Sequence, residues 1–135
     1  MAIAQEPIIQ LMNNVKAPYN INKLTADVAS RALDDFTLYN NNIKTILNER
    51  DYLINELKSI SAVEKIYPTD ANFILFRISR AQEIYKTMAD RGVVCRYRGM
   101  EPNCDECLRV TVGTKEENKK FIELLKKVAT EKGIF

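Results

Sequence analysis

Two arginines lie inside apolar runs near the C-terminus. One run is Gly92-Val93-Val94-Cys95-Arg96-Tyr97-Arg98, the other Cys107-Leu108-Arg109-Val110-Thr111-Val112-Gly113. Both are rich in strand-forming residues. A guanidinium on a buried strand needs a counter-charge, because stripping water from an unpaired ion costs several kcal/mol, roughly. Its planar fork of donors suits a phosphate or a carboxylate gripped through two bonds at once. Arg96 and Arg109 are therefore read as an anion-binding pair. The competing reading is that each pairs with an aspartate or glutamate of the same chain, and the residue pattern alone leaves both open.

Other chemistries are poorly supplied. The chain has no histidine, so a hydrolase with a histidine base cannot be built from these residues alone. Cys104-Asp105-Glu106-Cys107 has the C-x-x-C spacing, but a structural zinc normally takes four nitrogen or sulfur ligands, and the chain holds three cysteines in all. A redox pair would want a helix N-terminus in a thioredoxin-like βαβ setting, which the pattern does not offer. No metal site is expected. Lys115-Glu116-Glu117, Lys119-Lys120 and Lys126-Lys127 mix both signs at spacings that suit a solvated helix. With a formal net charge of only +2, nucleic acid and membrane surfaces are not expected partners. No apolar run approaches the ~20 residues needed to span a bilayer. No secretion signal is visible, and the odd cysteine count fits a reducing cytosol.

The elements that must position the arginines can be read from periodicity. At 135 residues, 46% hydrophobic and 28% charged, the chain is long enough for one compact domain with a real core. Residues 3–15 carry a helical stripe, broken by Lys16-Ala17-Pro18-Tyr19-Asn20-Ile21-Asn22. Residues 23–60 read as one long helix with Thr25 as its N-cap and a kink or short break at Tyr39-Asn40-Asn41-Asn42. At ~1.5 Å per residue it would run roughly 50 Å, more than a domain of this size usually holds, which suggests that it also packs on something beyond these residues. Strands are expected at 63–67, 72–78, 93–97 and 108–112. A helix over 81–91 should start at Ser79 and stop at Gly92. The stretch 98–106 reads as a loop. A last helix should open with a capping box between Thr114 and Glu117 and end near Lys132, with Phe121, Leu124, Leu125 and Val128 facing inward.

Four blocks occur in order at sensible spacings: Lys16-Ala17-Pro18-Tyr19-Asn20-Ile21-Asn22, Asn72-Phe73-Ile74-Leu75, Gly92-Val93-Val94-Cys95-Arg96, and Cys107 through Asn118. Together they resemble the C-terminal portion of the histidinol-phosphate aminotransferase family, a branch of the fold-type-I, pyridoxal-phosphate-dependent aminotransferases. The resemblance covers nearly the whole chain, and the last block is its most specific part. It implies an α/β, two-layer sandwich: a small, mainly antiparallel sheet with helices packed on it, preceded by a long helix. Residues 1–22 would close the large domain, 23–60 would connect, and 61–135 would form the small C-terminal domain. It further implies that Arg109 and Arg96 hold the substrate phosphate, and that the acidic end of glutamate takes the same place in turn. Tyr19 and Asn20 would lie near an active site, often the neighbouring subunit's. Asn72 would line the site mouth. For all three, a purely local role in shaping the turn or strand start stands beside the site role.

Family members are about 350 residues long. The lysine that anchors the cofactor and the aspartate under the pyridine nitrogen lie upstream of anything recognisable here. The resemblance thus implies a parent enzyme that binds pyridoxal phosphate, works as a cytoplasmic homodimer, and exchanges an amino group between a phosphorylated amino alcohol and a 2-oxo acid. This chain alone is expected to bind no cofactor and to be inactive. Three other readings stay open: the C-terminal domain of a different class I/II aminotransferase, a non-catalytic anion-binding regulatory module, and a structural or interaction domain.

Overall fold

The computed structural model describes residues 3–17 and 21–134. Two compact units emerge, Met1–Tyr39 and Asn40–Phe135.

The first unit carries helices α1 (Glu6–Val15) and α2 (Lys23–Asp34). Pro7 in the first turn of α1 has no N–H to lose there. The cap of α2 is Asn22, whose side-chain oxygen accepts from the Thr25 N–H at 2.8 Å. Thr25, expected to be the cap, is the residue being capped: Asn22 stands three positions earlier and reaches the free amide first. Neither helix buries a residue.

The expected long helix is in two pieces. Asp35 ends α2 with a non-helical backbone, and its carboxylate accepts from the Leu38 N–H at 3.0 Å, opening α3 (Phe36–Lys58). The Asn40-Asn41-Asn42 tract, expected to interrupt, lies inside α3, where the Asn41 carbonyl accepts from the Thr45 hydroxyl. At ~1.5 Å per residue α3 is about 35 Å long.

Four strands follow with one helix among them: β1 (Val63–Ile66), β2 (Phe73–Ile78), α4 (Ala81–Asp90), β3 (Arg96–Tyr97) and β4 (Cys107–Thr111). Helix α5 (Lys115–Glu131) completes the chain. The sheet order is β1-β2-β4-β3 and every pair is antiparallel. Alternation along the strands puts Ile74, Phe76, Ile78, Leu108 and Val110 on one face. There they form a core with Leu53 and Leu57 of α3, Ile84 and Met88 of α4, and Phe121, Leu125 and Val128 of α5. Phe76 and Phe121 meet edge to face, ring centres 6.5 Å apart. The two-layer α/β sandwich expected from the sequence is the architecture found.

Helix α4 starts differently from expectation, stops at Gly92 as expected, and is followed by a strand that begins later than expected. Ser79 does not cap α4; its hydroxyl donates to Glu64. The Ala81 N–H instead donates to the Glu106 carboxylate at 2.6 Å, and Arg80 takes the left-handed conformation at φ 58°. At the far end, Gly92 adopts φ 80°, its N–H donates to the Ala89 carbonyl, and the Val93 N–H donates to Met88. This Schellman stop binds Val93 to the helix, so the chain joins the sheet only at Arg96. Residues 93–95, expected as strand, stand clear of β4 and leave a cavity of about 420 Å³ beside Val110, Thr111 and Phe121. The expected box at α5 is present: Thr114 accepts from the Glu117 N–H, and the Glu117 carboxylate accepts from the Thr114 N–H and hydroxyl. Those bonds, the backbone one first, hold the Glu117 carboxyl below its ordinary range. A carboxyl lowered on folding contributes stability above its unfolded pKa and loses it as pH falls through the folded value.

Candidate functional site

Arg96 on β3 and Arg109 on β4 are direct cross-strand partners, and Arg109 in turn faces Leu75 of β2. Since Ile74 and Phe76 enter the core, Phe73, Leu75 and Arg77 share the opposite face with Arg96 and Arg109. Like charges directly opposite one another destabilise an antiparallel pair unless something neutralises them. Among the described residues no carboxylate does. The ion pairs are Arg80–Glu83, Arg91–Glu131, Arg98–Glu101, Lys119–Glu123, Lys126–Glu56 and Lys132–Glu83. The contrast with Arg98 is informative: two residues beyond Arg96 on the same run, it closes on Glu101.

Arg109 lies with its guanidinium carbon 5.0 Å from the centre of the Phe73 ring, a cation–π contact that orients the fork without using its donors. Its Nε is buried and has no hydrogen-bond partner among the described residues. A buried donor without an acceptor costs about 1–3 kcal/mol. Arg96 is exposed. The arrangement is a half-buried Arg109 with a spare Nε–H and an exposed Arg96 at the paired position of the next strand. An anion with several oxygens can bridge such a pair.

The turn between these strands fixes the register. The Arg98 N–H donates to the Cys107 carbonyl at 2.9 Å, and Asn103 and Glu106 take positive φ values of 62° and 53° to bring the chain round. A Cβ at Gly99 would fall 2.1 Å from the Tyr97 hydroxyl, so a side chain there requires that ring to move.

Asn72 is exposed just ahead of β2. Its backbone carbonyl accepts from the Val112 N–H at 2.9 Å, and it stands next to Phe73, the ring under Arg109. Its side chain makes no hydrogen bond among the described residues. Tyr19 and Asn20 lie outside the described residues.

Arg77 was not singled out from the sequence, although Phe73-Ile74-Leu75-Phe76-Arg77-Ile78 obeys the same rule of an arginine within an apolar strand. It sits opposite Cys107, and its Nε is likewise buried without a partner among the described residues. Its guanidinium is held above its ordinary range, chiefly by the charge of Tyr67. The Tyr67 phenol is itself raised, first by its hydrogen bond with Cys107, whose sulfur is 3.9 Å from the hydroxyl.

The cysteines are unpaired, and the described residues contain no cluster of three or more His, Cys, Asp or Glu able to hold a metal. Burial pushes the Cys95 thiol up to about 11, so roughly one molecule in ten thousand is ionised there at pH 7. A disulfide reagent at pH 7.5 is therefore expected to titrate Cys104 quickly, and Cys95 and Cys107 only after denaturant is added. Rapid release of three equivalents from the folded chain would contradict this burial pattern.

The sequence matches the family described as aminotransferase class I and II over residues 1–125, and the chain belongs to that family. It is 46% identical over 123 residues to the histidinol-phosphate aminotransferase of Flavobacterium psychrophilum, covering 91% of this chain and 35% of the relative. The solved histidinol-phosphate aminotransferase of Clostridium acetobutylicum superposes with a TM-score of 0.82 at 24% identity, over 93% of this chain and 39% of that one. The enzyme of the same name from Sinorhizobium meliloti, solved with pyridoxal-5'-phosphate, gives a TM-score of 0.74 at 20% identity, over 90% of this chain and 34% of that one. The fold is that of the C-terminal part of these enzymes. The chain spans about a third of the length of the curated relatives it matches.

Proposed function

We propose that this chain supplies the substrate-anion seat of a histidinol-phosphate aminotransferase, with Arg96 and Arg109 gripping the phosphate. One observation supports the reading: Arg96 and Arg109 are paired residues on one face of the sheet across β3 and β4, without carboxylate partners among the described residues, and the buried Arg109 Nε is unbonded. The same seat would take a carboxylate of glutamate or 2-oxoglutarate in the second half of the exchange. These arginines neutralise charge and fix the position of the substrate; they make no bond themselves.

Pyridoxal phosphate supplies the electron sink for moving an amino group in enzymes of this kind. The residues of this chain do not fit it. A cofactor-anchoring amine must be a lysine lowered in pKa inside a closed site, whereas every described lysine but one is exposed. The exception, Lys132, is half-buried and sits 3.7 Å from Glu83, at the end of α5. The cofactor would therefore be held by the part of the parent this chain does not cover, and the isolated 135 residues would show no turnover. No helix among the described residues is long and apolar enough to cross a membrane. A cytoplasmic homodimer is the assembly that the family resemblance implies for the parent.

The test uses a chimera in which this chain replaces the matching C-terminal third of the F. psychrophilum relative. Histidinol phosphate should be preferred over histidinol by on the order of 100-fold in kcat/KM, the worth of a charge-assisted grip on the phosphate. Equal use of the two, or preference for an aromatic amino acid, would reassign the seat to a carboxylate and the chain to a different aminotransferase.

A further inference from the structure

The sheet carries a second group of cations that the Arg96–Arg109 pair does not use. Lys65 of β1, Arg77 of β2 and Cys107 of β4 form one row across three strands, Lys65 paired with Arg77 and Arg77 with Cys107. Residues paired in register share a face. The neighbouring pair, Ile66 and Phe76, packs on the core, so the row lies on the opposite face. Tyr67 belongs to the same group. Its N–H donates to the Leu75 carbonyl at 3.0 Å, and the Lys65 Nζ lies 4.6 Å from the centre of its ring. Its hydroxyl is 3.9 Å from the Cys107 sulfur.

This group is short of negative charge. Like charges directly opposite one another destabilise an antiparallel pair. Neither Lys65 nor Arg77 is in an ion pair among the described residues, and the buried Arg77 Nε has no acceptor there. Glu64, next to Lys65 in the chain, accepts from the Ser79 hydroxyl at 2.5 Å, and its pull on Arg77 is weaker than that of Tyr67 or Cys107. The Tyr67 phenol is raised above its ordinary range, so at neutral pH it is a donor and not a counter-charge. The three side chains thus offer a guanidinium Nε–H, an ammonium and a phenol O–H. A phosphate group, with three strong acceptor oxygens, can answer all three, whereas a carboxylate has two. Arg109 stands two residues beyond Cys107 on β4, about 7 Å along the strand, so an ion at this place need not touch the first seat.

We propose that Lys65, Tyr67 and Arg77 form a second oxyanion seat, which takes a phosphate group independently of Arg96 and Arg109. Arginine Nε–H groups give separate NMR signals, so each seat is followed by its own residue. The 135-residue protein is titrated with inorganic phosphate at constant ionic strength. The Arg77 signal should shift along a saturating curve, with the same midpoint in Arg109→Ala. Lys65→Gln, a change at an exposed position, should raise that midpoint about threefold or more. Lys119→Gln removes the same charge from the exposed side of α5 and should leave it alone. Acetate at equal ionic strength should not saturate the signal. A parallel titration with histidinol phosphate names the source: a lower midpoint than with inorganic phosphate assigns the seat to a phosphate ester, a higher one to the free ion. The proposal is overturned by a linear drift of the Arg77 signal, by a midpoint that ignores Lys65→Gln, by acetate binding as tightly as phosphate, or by loss of the Arg77 response in Arg109→Ala. A silent Arg109 signal beside a responding Arg77 would support this seat and count against the Arg96–Arg109 seat alone.

Discussion

Arg109→Ala in the chimera is expected to raise the KM for histidinol phosphate by roughly 30- to 1,000-fold, with cofactor absorbance unchanged. The range follows from losing a charge-assisted pair of bonds to a dianion, on the order of 2–4 kcal/mol. Arg109 should matter more than its exposed neighbour Arg96 for two reasons. Its guanidinium is already oriented by Phe73, so little side-chain freedom is lost on binding. Its Nε is desolvated and unbonded, so the ligand recovers a cost the folded protein already carries. Arg109→Lys should recover only part of the loss, because an ammonium keeps the charge but not the planar fork. A KM within a factor of three of the parent in Arg109→Ala would remove the residue from the site.

Asn118→Leu should destabilise the Asn40–Phe135 unit by about 2–4 kcal/mol, the sum of two stranded backbone groups and one carboxylate. Asn118 is only 1% exposed. Its oxygen accepts from the Gly113 N–H at 2.9 Å, and its amide donates to the Gly113 carbonyl at 3.0 Å and to Glu49 of α3 at 2.9 Å. One side chain thus ties the exit of β4, the start of α5 and the middle of α3 together. Leucine fits the volume but satisfies none of these groups. A fall in thermal midpoint of roughly 10–20 °C is expected for a unit of this size, with an unchanged urea m-value. A shift below about 3 °C, under 1 kcal/mol on that scale, would mean that water replaces the amide and that the tie is dispensable.

How far these features could be read in advance varied with the physics behind them. The strands bearing Arg96 and Arg109 were visible because an arginine in an apolar strand run is costly enough to stand out. That the two are paired across the strands was not, because register depends on a nine-residue turn through 98–106, where Glu106 adopts a left-handed conformation that its residue type does not signal, alongside Asn103, whose type tolerates it. Arg77 carries the same signal as the pair. The interruption at Asp35 escaped because no glycine or proline marks it, only a carboxylate three residues before a free amide. The asparagine tract drew attention for its poor helix propensity, but a propensity of a few tenths of a kcal/mol per residue yields to a continuous α3. The capping box at Thr114 was legible because both of its members are local. Asn118 was not, since a buried asparagine is defined by its distant partner Glu49.

The most direct measurement is a double-mutant cycle on Arg96 and Arg109 in the chimera, reading the dissociation constant of histidinol phosphate for Arg96→Ala, Arg109→Ala and the pair together. If one phosphate bridges both side chains, the double variant should lose less than the sum of the single losses, with a coupling on the order of 1 kcal/mol or more. Losses that add to within about 0.3 kcal/mol would mean that the two arginines hold separate things.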